Sequence, residues 1–233
     1  MAGFHFYSGG LLRMAYEAAN RAKQTAKDNR TDDTLVAIIL AASAAECFIN
    51  DVVGTIRFIS AMPRGGPTDP SLERLVRIGT ALTSLEEDKT SVLSRYLCAG
   101  LLLDLTGIDA GLEPVQSFRQ VVQLRNSIVH AKPVSTEAND ALSKIIASLA
   151  KRGLCQAIDN SKRNTMDAET WWVVMRTPAV ASWAAQTVNH VMLSLMDGVV
   201  SAGDFKGLLA GWRDWLRESL ASGSAAPPKA PPS

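Results

Sequence analysis

The sequence predicts an all-α protein, a bundle of about seven to eight helices, and three observations predict it. Nearly every apolar segment repeats with the 3.6-residue period of a helix rather than the alternation of a strand. Caps and breakers fall between those segments, as in the stretches "NRTDD" and "MPRGGPTDP". Apolar residues make up 47% of 233 residues, enough for a sizeable core in an ordinary globular composition.

Taken in order, residues 9–29 read as an amphipathic helix. Leu12, Ala15, Tyr16 and Ala19 lie on one side, and Arg13, Glu17, Arg21, Lys23 and Lys27 decorate the rest. Residues 29–33 reset the chain and supply caps. Residues 33–60 are apolar nearly all round, the pattern of a central helix. A Gly/Pro-rich loop at 62–70 leads to two helices, 71–86 and 89–106, joined at "EEDKT". "GIDAGLEP" breaks the second, and Pro114 starts a helix over 114–130 that stops before Pro133. Residues 135–152 follow, with "STE" as a cap and Gly153 as a stop.

The segment 154–170 is polar and irregular, and "WWVVM" (171–175) fits either a short strand or the lead-in to a helix. Thr177 before Pro178 is a cap-plus-first-turn signal for a helix to about 197. A last helix, 204–220, carries Phe205, Leu208, Leu209, Trp212, Leu216 and Leu220 as one stripe. No internal repeat appears. The expected organisation is a bundle over 1–153, a C-terminal helical extension over 154–221 packing on it, and a disordered Pro/Ala-rich tail over 222–233.

Composition narrows the function classes. A net charge of +1 leaves no bulk basic field for nucleic acid or anionic lipid, though a small RNA-contacting patch stays possible. "MAGFHFYSGG" lacks the basic region and apolar core of a signal peptide, and the longest apolar run, 35–45, is too short to span a bilayer. A cytoplasmic protein with no membrane partner is expected. Cys47, Cys98 and Cys155 are odd in number and widely spaced, so structural thiols are expected rather than disulfides or zinc. Neither a metal cluster nor a Gly-rich phosphate loop is present, and no cofactor is predicted.

The stretch best equipped for chemistry is "LRNSIVHAKP" (124–133). Asn126 and His130 are i and i+4 and share a helix face, and Arg125 has the length to converge with them. Cleaving RNA requires a group to deprotonate the 2′-hydroxyl, one to protonate the leaving oxygen, and positive charge on the phosphorane. Histidine titrates near neutrality and serves either proton task; arginine presents a planar fork to phosphate oxygens; asparagine orients them. The structural alternative is a helix end whose histidine suits the macrodipole and whose arginine pairs with an acidic neighbour. Arg-x4-His spacing alone does not separate the two readings; the intervening Asn126 and the proline-closed helix end carry more information.

"RNSIVH" (125–130) resembles the Arg-Asn-x-x-x-His signature of the HEPN superfamily, all-α ribonuclease and nucleotide-binding domains. "FRQVVQLRNSIVHAKP" resembles the phenylalanine-led helix before that signature, and "AASAAECFINDVVG" (41–54) is similar to a second HEPN core helix. The resemblance is loose over 9–150, and 154–220 resembles nothing comparable. It implies a HEPN-like bundle and a metal-independent endoribonuclease with Arg125, Asn126 and His130 as catalytic residues. It further implies a homodimer whose protomers juxtapose their motifs, RNA as substrate, and a toxin or defence role with an antitoxin or partner protein. A non-catalytic HEPN-like module that binds a partner protein, RNA or nucleotide is the alternative.

Ser43, Glu46 and Asn50 fall at i, i+3 and i+7 on the apolar second helix. They read either as a shell that holds Arg125 or His130 through Glu46, or as a buried structural network. His190 reads as a core histidine and His5 as a terminal packing residue. Trp171/Trp172 and Trp212/Trp215 read as packing residues rather than base-stacking platforms, and Lys151/Arg152 and Ser161–Arg163 as a solvated loop.

Overall fold

Small side chains decide where the central helices meet. Alanines 15, 18, 19 and 22, alanines 37, 41, 44 and 45, and alanines 181, 184 and 185 are all buried. Such small side chains allow helices to pack at the short end of the usual interaxial range, about 8 Å. The computed structural model describes residues 7–27, 29–61, 70–130, 136–156, 168–201 and 206–222. Among them are nine helices: α1 (Tyr7–Thr25), α2 (Asp33–Ala61), α3 (Pro70–Glu87), α4 (Val92–Leu102), α5 (Val115–Val129), α6 (Thr136–Lys151), α7 (Ala168–Met175), α8 (Pro178–Ser201) and α9 (Lys206–Ser222). The described residues contain no strand, only an isolated antiparallel bridge between Lys27 and Arg30. The all-α class therefore holds, and the helix beyond the expected seven to eight is α7, where "WWVVM" is helical.

α2 is the central element, packed by α1, α3, α4, α5 and α8. Fourteen of its residues are buried, from Thr34 to Ile59. Its apolar stretch is longer than the run at 35–45: α2 is long and apolar enough to cross a membrane, and 56% of its apolar window is buried inside the bundle. One continuous core joins α1–α6 to α7, α8 and α9, through Trp171, Met175, Leu195, Leu209 and Leu216. Inside it, Asn189 Nδ2 donates to the Tyr16 hydroxyl at 3.0 Å. Burial, against the pull of that hydrogen bond, pushes the Tyr16 phenol up to about 12. His190, one residue on, is exposed, which corrects its reading as a core histidine. The 100° step between successive helical residues turns the ring outward while Asn189 points in.

Several boundaries follow from local chemistry. Thr177 Oγ1 accepts from the Val180 amide at 3.2 Å and Pro178 opens α8, the arrangement that Thr-Pro signals. Gly153, at φ 72°, closes α6: its amide donates to Ala150 O at 2.9 Å and the Leu154 amide to Leu149 O at 3.0 Å. α4 is shorter than the expected 89–106. Ser91 caps its start, and Asp104, in the left-handed region at φ 55°, ends it. Arg74 on α3 donates to Leu102 O at 2.9 Å and pairs with Asp104, satisfying that helix end. At α1, a methyl group on Gly9 would overlap the Trp212 ring, so glycine admits α9 there.

Parts of the sequence reading lie outside the described residues: His5, most of the loop at 62–70, Pro133, Ser161–Arg163, Phe205 and residues 223–233 of the tail. Arg152 is described and is no free loop cation. It donates to Ser117 Oγ at 2.6 Å and pairs with Glu113 at 2.7 Å, tying the end of α6 to the start of α5.

Candidate functional site

α5 buries Val115, Phe118, Val121 and Leu124 against the bundle. Phe118 meets Tyr96 of α4 edge-on, with ring centroids 5.1 Å apart, and the Tyr96 hydroxyl donates to Ala45 O of α2 at 3.0 Å. These contacts fix the phase of α5 on α2 and α4. The residues after Leu124 therefore emerge at the bundle surface.

Arg125 is half-buried, and Asn126 and His130 are exposed. Arg125 Nη1 donates to Asn126 Oδ1 at 3.0 Å, and its Nη2 lies 3.7 Å from Glu46 Oε2. The guanidinium is thus held between a neutral acceptor on its own helix and a carboxylate on α2. Asn126 accepts through Oδ1, which leaves its amide N–H groups free to donate. His130 is the residue that ends α5: its backbone amide donates to Asn126 O at 2.9 Å, and its φ of −113° and ψ of 42° leave the helical region. Its imidazole makes no hydrogen bond or ion pair among the described residues. The structure joins Arg125, Asn126 and Glu46 directly and sets the His130 backbone one turn beyond Asn126.

The α2 residues divide differently from the stripe read in the sequence. Glu46 and Asn50 are exposed and Ser43 is half-buried, so they are not a buried network. Between Ser43 and Asn50, it is Ala44, Ala45, Phe48 and Ile49 that enter the core. Glu46 faces Arg125, whereas Asn50 Oδ1 accepts from Arg95 of α4. The Ser43 hydroxyl makes no hydrogen bond among the described residues.

Arg95 is the residue that sequence reasoning missed. It is buried, its Nη2 lies 3.6 Å from Glu86, and its Nε has no partner. The signal was an arginine inside the otherwise apolar face of "VLSRYLCAGLL".

Other groups bear on the chemistry. Burial, with the Asp51 and Glu46 charges, pushes the Cys47 thiol up to about 11, and burial alone pushes Cys155 to about 11. Both are therefore poor nucleophiles. Asp51 accepts from the Ser8 amide at 3.1 Å and the Ser8 hydroxyl at 2.6 Å, closing the start of α1. Burial raises the Asp51 carboxyl although those bonds oppose it. Among the described residues, no three His, Cys, Asp or Glu side chains form a metal-ligand group. Trp171 and Trp215 are buried, and Trp171 stacks on Trp172 at 4.3 Å, so both pairs serve packing. Comparisons with protein-family models, curated proteins and solved structures give no match to this chain.

Proposed function

We propose that this chain is a metal-independent endoribonuclease of HEPN type that acts as a homodimer. The observation that carries the reading is the Arg125 guanidinium, held between Asn126 and Glu46 at an exposed helix end that also presents His130. In the reaction, an imidazole takes the proton of a ribose 2′-hydroxyl and the oxygen attacks the adjacent phosphorus. A 2′,3′-cyclic phosphate forms as the bond to the 5′-oxygen breaks, and that oxygen leaves with a proton from the second imidazole. Arg125 and the Asn126 amide donate to the non-bridging oxygens as charge builds there. Glu46 holds the guanidinium in position. A single motif supplies one imidazole, so the acid and base come from two protomers. By its resemblance, such an enzyme serves as a toxin or defence effector restrained by an antitoxin or partner protein.

A second reading, a HEPN-like module that binds RNA, nucleotide or a partner protein without cleaving, is favoured by the Glu46 carboxylate, which offsets part of the Arg125 charge. The test separates the two. Purified protein incubated with an RNA panel in EDTA should yield cyclic-phosphate ends, and His130→Ala and Arg125→Ala should each lose about 10²-fold or more in rate. All three proteins leaving the RNA intact would favour the binding module.

A further inference from the structure

The polar face of α5 does not stop at the motif. Gln116, the Arg119–Gln120 pair, Gln123 and Asn126 recur at steps of three or four residues along one side of the helix, and His130 caps its end. Beside the first four, α6 contributes Lys144, and the two helices enclose an open groove of about 550 Å³ with Ala141 and Ile145 in its floor. Among the described residues its charged lining consists of Arg119 and Lys144, in a chain whose net charge is only +1. Both cations are exposed, and neither has an acidic partner among the described residues. They contrast with Arg74, Arg95, Arg125, Arg152, Arg176 and Arg217, each of which is paired with a carboxylate. Around the two cations the glutamines supply neutral amides, and Gln120 is anchored by donating to Ser148 Oγ at 3.1 Å.

We propose that the α5–α6 groove lined by Gln116, Arg119, Gln120, Gln123 and Lys144 is a track for the phosphate backbone of single-stranded RNA, leading the strand to Asn126 and His130. Charge complementarity selects the occupant: two cations among amides, without an acidic partner among the described residues, suit a flexible polyanion. An acidic protein segment would satisfy the same charges, but a strand in the groove also continues onto the face that carries the motif. Arg119 and Asn126 are seven residues apart, about 10 Å along the axis. Phosphates on Arg119 and Lys144 therefore belong to nucleotides flanking the reacting one. The inference rests on reading the end of α5 as an RNA-cleaving site.

The test uses the full chain carrying His130→Ala, so that binding is measured without cleavage, and a short unstructured fluorescent RNA titrated by anisotropy across salt concentrations. Adding Arg119→Gln and Lys144→Gln together should weaken binding tenfold or more at about 50 mM salt and flatten the log–log salt slope by about 1.4, two phosphate contacts on a single strand. Lys144→Arg should keep the wild-type affinity, and circular dichroism should report the same fold for every variant. Unchanged affinity and slope in the double variant, or no RNA binding by any form, would overturn the track. The two readings fail separately. Cleavage by wild type with no groove effect sinks the track alone, whereas groove-dependent binding without cleavage by wild type sinks the nuclease alone.

Discussion

Arg95 carries a charge into a site only 4% exposed, and its guanidinium meets Asn50, Glu86 at 3.6 Å and, at Nε, nothing. A buried cation depends on its few acceptors, so removing one costs more than the bond is worth in isolation. Asn50→Ala should destabilise the fold by about 1–3 kcal/mol. Adding Arg95→Met removes the charge together with its need, so the double variant should be no less stable than Asn50→Ala alone. Urea unfolding of the four proteins in the cycle measures this, and strictly additive losses would refute the coupling. The pair also shows what single-residue reading can reach. The spacing of Ser43, Glu46 and Asn50 put them on one edge of α2, but the partner of Asn50 lies 45 positions away on another helix. Arg125 and Asn126 were legible together because they are neighbours in the chain. His190 was misread because a helix apolar on several faces gives no clear phase to its few polar positions.

Helix ends were legible where the residue type itself announces the backbone. Gly153 reads as a stop because glycine takes positive φ freely, whereas Lys89 and Asp104 end α3 and α4 at φ 54° and 55° without any such announcement. The junction of α5 and α6 makes an element-scale prediction. Burial would raise the Glu113 carboxyl, but hydrogen bonds from Ser117 and Arg152 and the Arg152 charge outweigh it and hold the group below its ordinary value of 4.5. A folded-state pKa below the unfolded one adds stability that is fully present above the unfolded value and is lost as pH falls through the folded one. Wild type should therefore exceed Glu113→Gln in stability above about pH 4.5, and the difference should shrink steadily on acidification. Denaturant unfolding across a pH series checks this; a gap that does not vary with pH would show that Glu113 acts through shape alone.

At the scale of the molecule, the nearly all-round apolarity of α2 announced a helix at the centre, and five helices pack on it while its Glu46–Asn50 edge stays exposed. Which helices surround it was not legible, since pairing is decided by shape matches between distant faces, such as the alanines of α1, α2 and α8. Nor can one chain's sequence display the whole of a site if, as proposed, two chains complete it. Next to His130, Val129 stays 47% exposed, an apolar side chain left in water beside the motif. If two protomers close the site over this end of α5, activity belongs to the dimer and follows its mass action. Specific activity should then be constant at high enzyme concentration and fall on dilution, the rate tending to the square of concentration once monomer dominates. Sedimentation over the same range should place the drop at the dimer–monomer transition, and Val129→Glu should move both to higher concentration together. Specific activity that stays level while the protein sediments as a monomer would show that one copy of the motif suffices.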